Sequence, residues 1–87
     1  MTEDELCAAG TAAENLLNAE VFTSTINELV DTTFQNFVNT VTDESDKRED
    51  AYRTYRAVVD IVNTLRQKVA VRDEIDQKNK PQIIVEE

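Results

Sequence analysis

Apolar residues recur at intervals of three and four along two long stretches of this chain, with polar residues between them. In the first stretch the stripe is Phe22, Ile26, Leu29, Val30, Phe34, Phe37, Val38 and Val41. Steps of three and four bring side chains to one face of an α-helix, so the spacing predicts a helix from about Ala19 to Val41. In the second, Ala51, Tyr55, Val58, Val62, Leu65 and Val69 step by alternating fours and threes, a heptad seam. Tyr52 and Val59 widen that seam on one side and Ile61 on the other. Lys78, Asn79 and Lys80 followed by Pro81 signal its end, because basic residues suit a helix C-terminus and Pro disfavours helix in the residue before it. A helix from Asp46 to Lys78 would be roughly 50 Å long at 1.5 Å per residue.

Between these stripes, Thr42-Asp43-Glu44-Ser45-Asp46 reads as a turn, with Ser45 or Asp46 placed to cap the second helix. A polar link this short favours an antiparallel αα-hairpin. Ahead of the hairpin, residues 1–10 read as a loose acidic lead interrupted by Gly10. Thr11 and Glu14 have capping-box spacing, which predicts a short helix over roughly 12–18, with Asn18 either breaking it or capping the next segment. After Pro81, Ile83, Ile84 and Val85 are β-branched and read as extended. The fold expected is therefore all-α: an antiparallel helical hairpin with a short N-terminal helix and an extended C-terminal tail. Its parts are a lead at 1–10, a hairpin domain at 11–80 and a tail at 81–87.

Both stripes are wider than a single seam, and two helices side by side cover only one stripe each. The uncovered surface predicts an oligomer or a hairpin docked on a partner. The expected interface residues are Phe22, Ile26, Phe34 and Phe37 on the first arm and Tyr52, Tyr55, Val58, Val62 and Leu65 on the second. Ile83, Ile84 and Val85 add an anchor at the tail. The other side of the first helix carries Thr23, Ser24, Thr25, Asn27, Thr32, Thr33, Gln35, Asn36, Asn39 and Thr40, which are mediocre helix formers. Tertiary packing has to sustain such a helix, or its uncharged face docks on another protein.

Charge divides the chain at the same turn. Residues 1–46 hold ten carboxylates and no Lys or Arg, whereas residues 47–87 hold nine basic and eight acidic side chains. The net charge of −9 disfavours direct contact with nucleic-acid phosphates and suits a basic protein surface. No apolar run approaches the ~18 residues of a membrane span. The acidic N-terminus is the opposite of a secretory leader, so a cytoplasmic location is expected.

The residue types leave little room for catalysis. There is no His, and Cys7 is the single cysteine. That excludes an intrachain disulfide, a thiolate metal site and the commonest general base. The Asp43-Glu44-Ser45-Asp46 run lacks the Gly and distal Glu of an EF-hand loop and reads as a helix cap. Tyr52 and Tyr55 stand at helical spacing, as core or interface anchors do. No enzyme, cofactor or metal is expected.

Ala13-Glu14-Asn15-Leu16-Leu17-Asn18 followed by Phe22 and Ile26, and Lys47-Arg48-Glu49-Asp50-Ala51-Tyr52 leading into Tyr55 and Leu65, form a recognisable pair of segments. Over about residues 13–69 the chain resembles short, mostly uncharacterised two-helix proteins encoded among the virion-structure and packaging genes of tailed bacteriophages. The resemblance implies a virion-associated or head and packaging assembly protein that acts by helix packing. Its partners would be a protein with a basic or apolar surface, such as a capsid or portal protein, and further copies of itself. Its location would be the host cytoplasm during infection, or the particle. The alternative function is an acidic host-directed inhibitor that occupies a nucleic-acid-binding site, of the DNA-mimic, anti-CRISPR or anti-restriction type.

Overall fold

The computed structural model describes residues 1–80, and the expected tail with Ile83, Ile84 and Val85 lies outside them. Three helices account for nearly all of the described chain: α1 (Glu3–Leu17), α2 (Glu20–Val38) and α3 (Ser45–Asn79). At 35 residues α3 is the longest element, roughly 52 Å at 1.5 Å per residue. It forms one side of a rod 69 Å long. The other side is made of α1 and α2 end to end: α1 packs on the C-terminal half of α3 and α2 on the N-terminal half, while α1 and α2 barely touch. Both run antiparallel to α3, as the pairing of Glu3 with Lys78 and of Glu14 with Arg72 requires for α1.

The first ten residues are not a loose lead. Thr2 caps α1 by accepting a hydrogen bond from the Glu5 N–H (3.1 Å), so the N-cap lies nine residues before Thr11. Glu3, Asp4 and Glu5 occupy its first turn, where the helix dipole favours negative charge. Gly10 does not interrupt the helix. It is buried against α3, and a Cβ built there would come within 2.7 Å of the Lys68 carbonyl oxygen and would overlap the Arg72 side chain. Gly is required because the two backbones approach too closely for any side chain.

Asn18 is the C-cap of α1, still helical in conformation with its N–H on the Glu14 carbonyl, and the chain leaves the helix at the next residue. Ala19 is extended and opens α2 without a side-chain cap. The Thr23 hydroxyl crosses the break to the Leu17 carbonyl at 3.1 Å, meeting one of the acceptors that a helix end leaves open. At the other turn neither Ser45 nor Asp46 is the cap. Glu44 holds the N-cap position of α3, and its carboxylate turns back to accept from the Val41 N–H at 3.0 Å and to pair with Lys47. Arg48 closes the turn, donating to the Val41 carbonyl at 2.6 Å and to the Thr42 carbonyl at 3.1 Å.

The core is thin. Its buried apolar side chains are Ala13, Ala51 and Val58, joined by Gly10 and by Thr33, whose hydroxyl donates to the Leu29 carbonyl of its own helix at 2.6 Å. No large side chain among the described residues is fully buried. Val62, Leu65 and Val69 of the seam are half-buried, as are Phe22, Ile26 and Val30 of α2. No helix among the described residues is long and apolar enough to cross a membrane.

Candidate functional surface

The α2–α3 end of the rod has two unlike faces. On one, Val30, Phe34 and Phe37 of α2 lie across a groove from Ala51, Tyr52 and Tyr55 of α3, and Asp31 borders it. The groove encloses about 490 Å³. The helical period explains the grouping. Val30, Phe34, Phe37 and Val38 fall within about a third of a turn of one another at 100° per residue, and so do Tyr52, Tyr55, Val59 and Val62. Thr33 on α2 and Val58 on α3 point into the seam between the helices, which leaves the aromatic rows one step further round and exposed.

On the opposite face Thr33, Asn36, Asn39 and Thr40 meet Glu44, Lys47, Asp50, Ala51 and Thr54 around a more polar hollow of about 410 Å³. Part of the uncharged polar stretch noted in the sequence therefore lines the second face. Several of its hydroxyls are satisfied locally: Thr25 donates to the Val21 carbonyl at 2.7 Å and Thr40 to the Phe37 carbonyl at 2.8 Å. Such bonds satisfy the hydroxyls without a partner but do not strengthen the helix.

The structure divides the expected interface residues into three groups. Phe34, Phe37, Tyr52 and Tyr55 come together as exposed rings around one groove. Phe22, Ile26, Val62 and Leu65 are half-buried between α2 and α3. Val58 is buried within the chain itself, so its role is in the intramolecular core and not at a partner surface. Exposed Val38 lies one turn beyond Phe34 on the same face of α2, whereas Val41, expected in the same stripe, is exposed beyond the end of that helix.

At the other end of the rod the close packing of α1 on α3 at Gly10 is flanked by polar contacts. Arg72 donates from both terminal nitrogens to the two carboxylate oxygens of Glu14, each at 3.1 Å, and also reaches Asp73 at 2.8 Å. This two-pronged geometry is the strong form of the Arg–carboxylate contact. The hydrogen bonds from Arg72 hold the Glu14 carboxyl below the usual carboxylate range, and Glu14 in turn holds the Arg72 guanidinium above its ordinary value. At the end of the rod Lys78 pairs with Glu3 at 3.4 Å. Cys7 lies half-buried with its Sγ 3.8 Å from Asp76 Oδ1. Burial raises the thiol pKa and Asp76 raises it further, so Cys7 is a protonated, weakly nucleophilic thiol.

In chemical terms the α2–α3 groove offers four aromatic rings, two of them with hydroxyls, and one bordering carboxylate. Such a lining takes up apolar surface and orients it through a few polar rim contacts. No family model, no curated protein and no solved structure matches the chain.

Proposed function

We propose that this chain is a non-enzymatic protein–protein interaction module that docks through the aromatic face of its α2–α3 end. The observation that carries this reading is the exposure of Phe34, Phe37, Tyr52 and Tyr55 around one groove in a chain whose own core is thin. A contiguous apolar patch rimmed by polar residues is the usual mark of an interaction site. The rigid α3 spine and the satisfied turn at Val41–Arg48 hold the rings in a fixed arrangement, which lowers the ordering cost of binding.

The resemblance to helical phage proteins gives this module its setting: a virion-associated or head and packaging assembly protein, with capsid or portal proteins among its partners. The test is quantitative mass spectrometry of particles purified from a phage that carries the gene. A defined stoichiometric copy number supports a virion role, and abundance in infected cells with absence from particles overturns it.

A second reading has its own support in the charge distribution. Of the ten carboxylates before Lys47, only Glu3, Glu14 and Glu44 form ion pairs among the described residues. The other seven face solvent without a cation, and a basic nucleic-acid-binding protein would be attracted to them. That host-directed inhibitor would bind a basic nuclease with an affinity that falls steeply as salt rises. Salt-insensitive binding would remove this reading.

A further inference from the structure

We propose that the groove formed by Phe34, Phe37, Tyr52 and Tyr55 is covered by the same groove of a second copy of this chain, in a two-fold dimer whose axis runs parallel to α2 and α3. The proposal rests on the reading of this groove as a docking face and names its occupant.

Charge selects the occupant. On α2 the charged side chains are Glu20, Glu28 and Asp31, with no Lys or Arg, and Asp31 borders the groove. On α3, Lys47 lines the opposite hollow, Arg48 is held by the turn carbonyls and Arg53 pairs with Glu49 and Asp50, which leaves Arg56 as the cation next to the rings. An operation that lays α2 over α3 of a second copy, and α3 over its α2, sets each Asp31 against an Arg56. A two-fold axis parallel to the helices does this, and it makes every neighbouring pair in the resulting four-helix bundle antiparallel.

That axis also preserves height along the rod. Asp31 borders the groove at the level of Tyr52 and Tyr55. Arg56 directly follows Tyr55 and lies one turn from Tyr52, on the outer side of α3. Asp31 therefore meets Arg56 of the second copy, twice per dimer. Within the chain Asp31 has no ion pair among the described residues, and Arg56 has only a long contact to Asp60 at 3.8 Å.

The rings supply part of the area. Phe34 is 57% exposed, Phe37 44%, Tyr52 58% and Tyr55 42%. At about 200 Å² per aromatic ring this supplies roughly 400 Å² per copy. That is about half of the ~800 Å² each partner gives to a standard interface, so the dimer is a weak one. Val38, half exposed and one turn beyond Phe34 on α2, adds to the rings.

The experiment is sedimentation equilibrium of the full chain from about 1 to 100 µM, a range over which a weak standard-size interface associates. A monomer–dimer equilibrium is expected. Phe34→Glu should raise the dimer Kd by ~100-fold or more, since it puts a charge among the rings at the centre of the interface. D31R and R56D should each raise it by about 10-fold. The D31R/R56D double variant should return it to near the starting value, because both intermolecular pairs are restored with their signs exchanged. Far-UV circular dichroism confirms that the variants stay helical. Were Phe34→Glu to lose helix, the charge-exchange set would decide alone. A monomer across the whole range, an oligomer larger than a dimer, or a double variant no better than the single ones would overturn the proposal. A monomeric chain whose binding to another protein is abolished by Phe34→Glu would sink the second copy and keep the docking face. A dimer that Phe34→Glu leaves intact would sink both.

Discussion

At the scale of single residues, the contact between α1 and α3 depends on Gly10 and on the Glu14–Arg72 pair. An Ala at position 10 gains about 1 kcal/mol of helix propensity. It also pushes a methyl group to within 2.7 Å of the Lys68 carbonyl oxygen, a backbone atom that cannot swing away. Overpacking of this kind costs ~1–3 kcal/mol. The steric effect wins, and Gly10→Ala should lower unfolding free energy by roughly 1 kcal/mol in a urea titration, where propensity alone predicts a gain. The Glu14–Arg72 pair makes a pH prediction. Its hydrogen bonds hold the Glu14 carboxyl below its ordinary 4.5 in the folded chain. The unfolded chain takes up that proton first as pH falls, so the pair's stabilisation is complete above about pH 4.5 and is lost as pH drops through the lower folded value. Glu14→Gln should therefore melt below the unchanged protein at pH 7, and the two melting temperatures should converge in stronger acid. A gap that stays constant with pH would mean that the pair acts through packing and not through charge.

At the scale of elements, the helices differ in how well their ends are held. The Thr2 hydroxyl caps α1, whereas α2 begins at an extended Ala19 with no side-chain acceptor. Ala19→Ser offers a hydroxyl to the free N–H groups of the first turn. It should stabilise the chain by about 1 kcal/mol, seen as a higher urea midpoint with an unchanged slope. Ends of this kind also separate what the sequence discloses from what it conceals. The heptad of α3 and the stripe of α2 were legible because each position's role follows from its spacing, and both helices lie within a few residues of the expected bounds. The turn at 42–46 was legible for the same reason, but its cap was not. Glu44 takes that place because its carboxylate folds back on Val41 and Lys47, a choice made by side-chain geometry. The part of α1 before residue 12 was missed because Gly10 marks a break in local reasoning and a close approach in tertiary packing. Two signals were present nonetheless: capping-box spacing from Thr2 to Glu5, and Leu6, Gly10, Ala13 and Leu17 stepping by four, three and four. Among the interface residues, the four rings of the groove were legible as apolar anchors. That Val58 turns inward while Tyr52 and Tyr55 stay out depends on where α2 sits against the seam, which spacing along α3 alone does not fix.

At the scale of the whole molecule, α3 is a spine with two different clients. Its N-terminal half is covered by α2 through rings and branched side chains, and its C-terminal half by α1 through Gly10, Ala13 and ion pairs. The two coverings barely contact one another, so they are joined chiefly through α3 itself and the short link at Asn18–Ala19. An isolated helix of 15 residues or fewer is marginal in water. The stretch of α3 beyond Leu65 would be such a helix without α1, because α2 covers the half that precedes it. Deleting residues 1–17 should therefore leave the α2–α3 end folded while Val69–Asn79 frays. Amide hydrogen exchange is the measurement that separates the two halves, since protection follows local opening free energy. Amides from Ala51 to Val62 should keep their protection, and those from Val69 to Asn79 should exchange at nearly unprotected rates. Loss of protection along all of α3 would mean that the rod unfolds as one unit, with α1 holding the aromatic end in place. Retention at Val69–Asn79 would mean that helix propensity sustains the spine unaided, and that the close approach at Gly10 serves to fix α1 to α3 instead of keeping α3 folded.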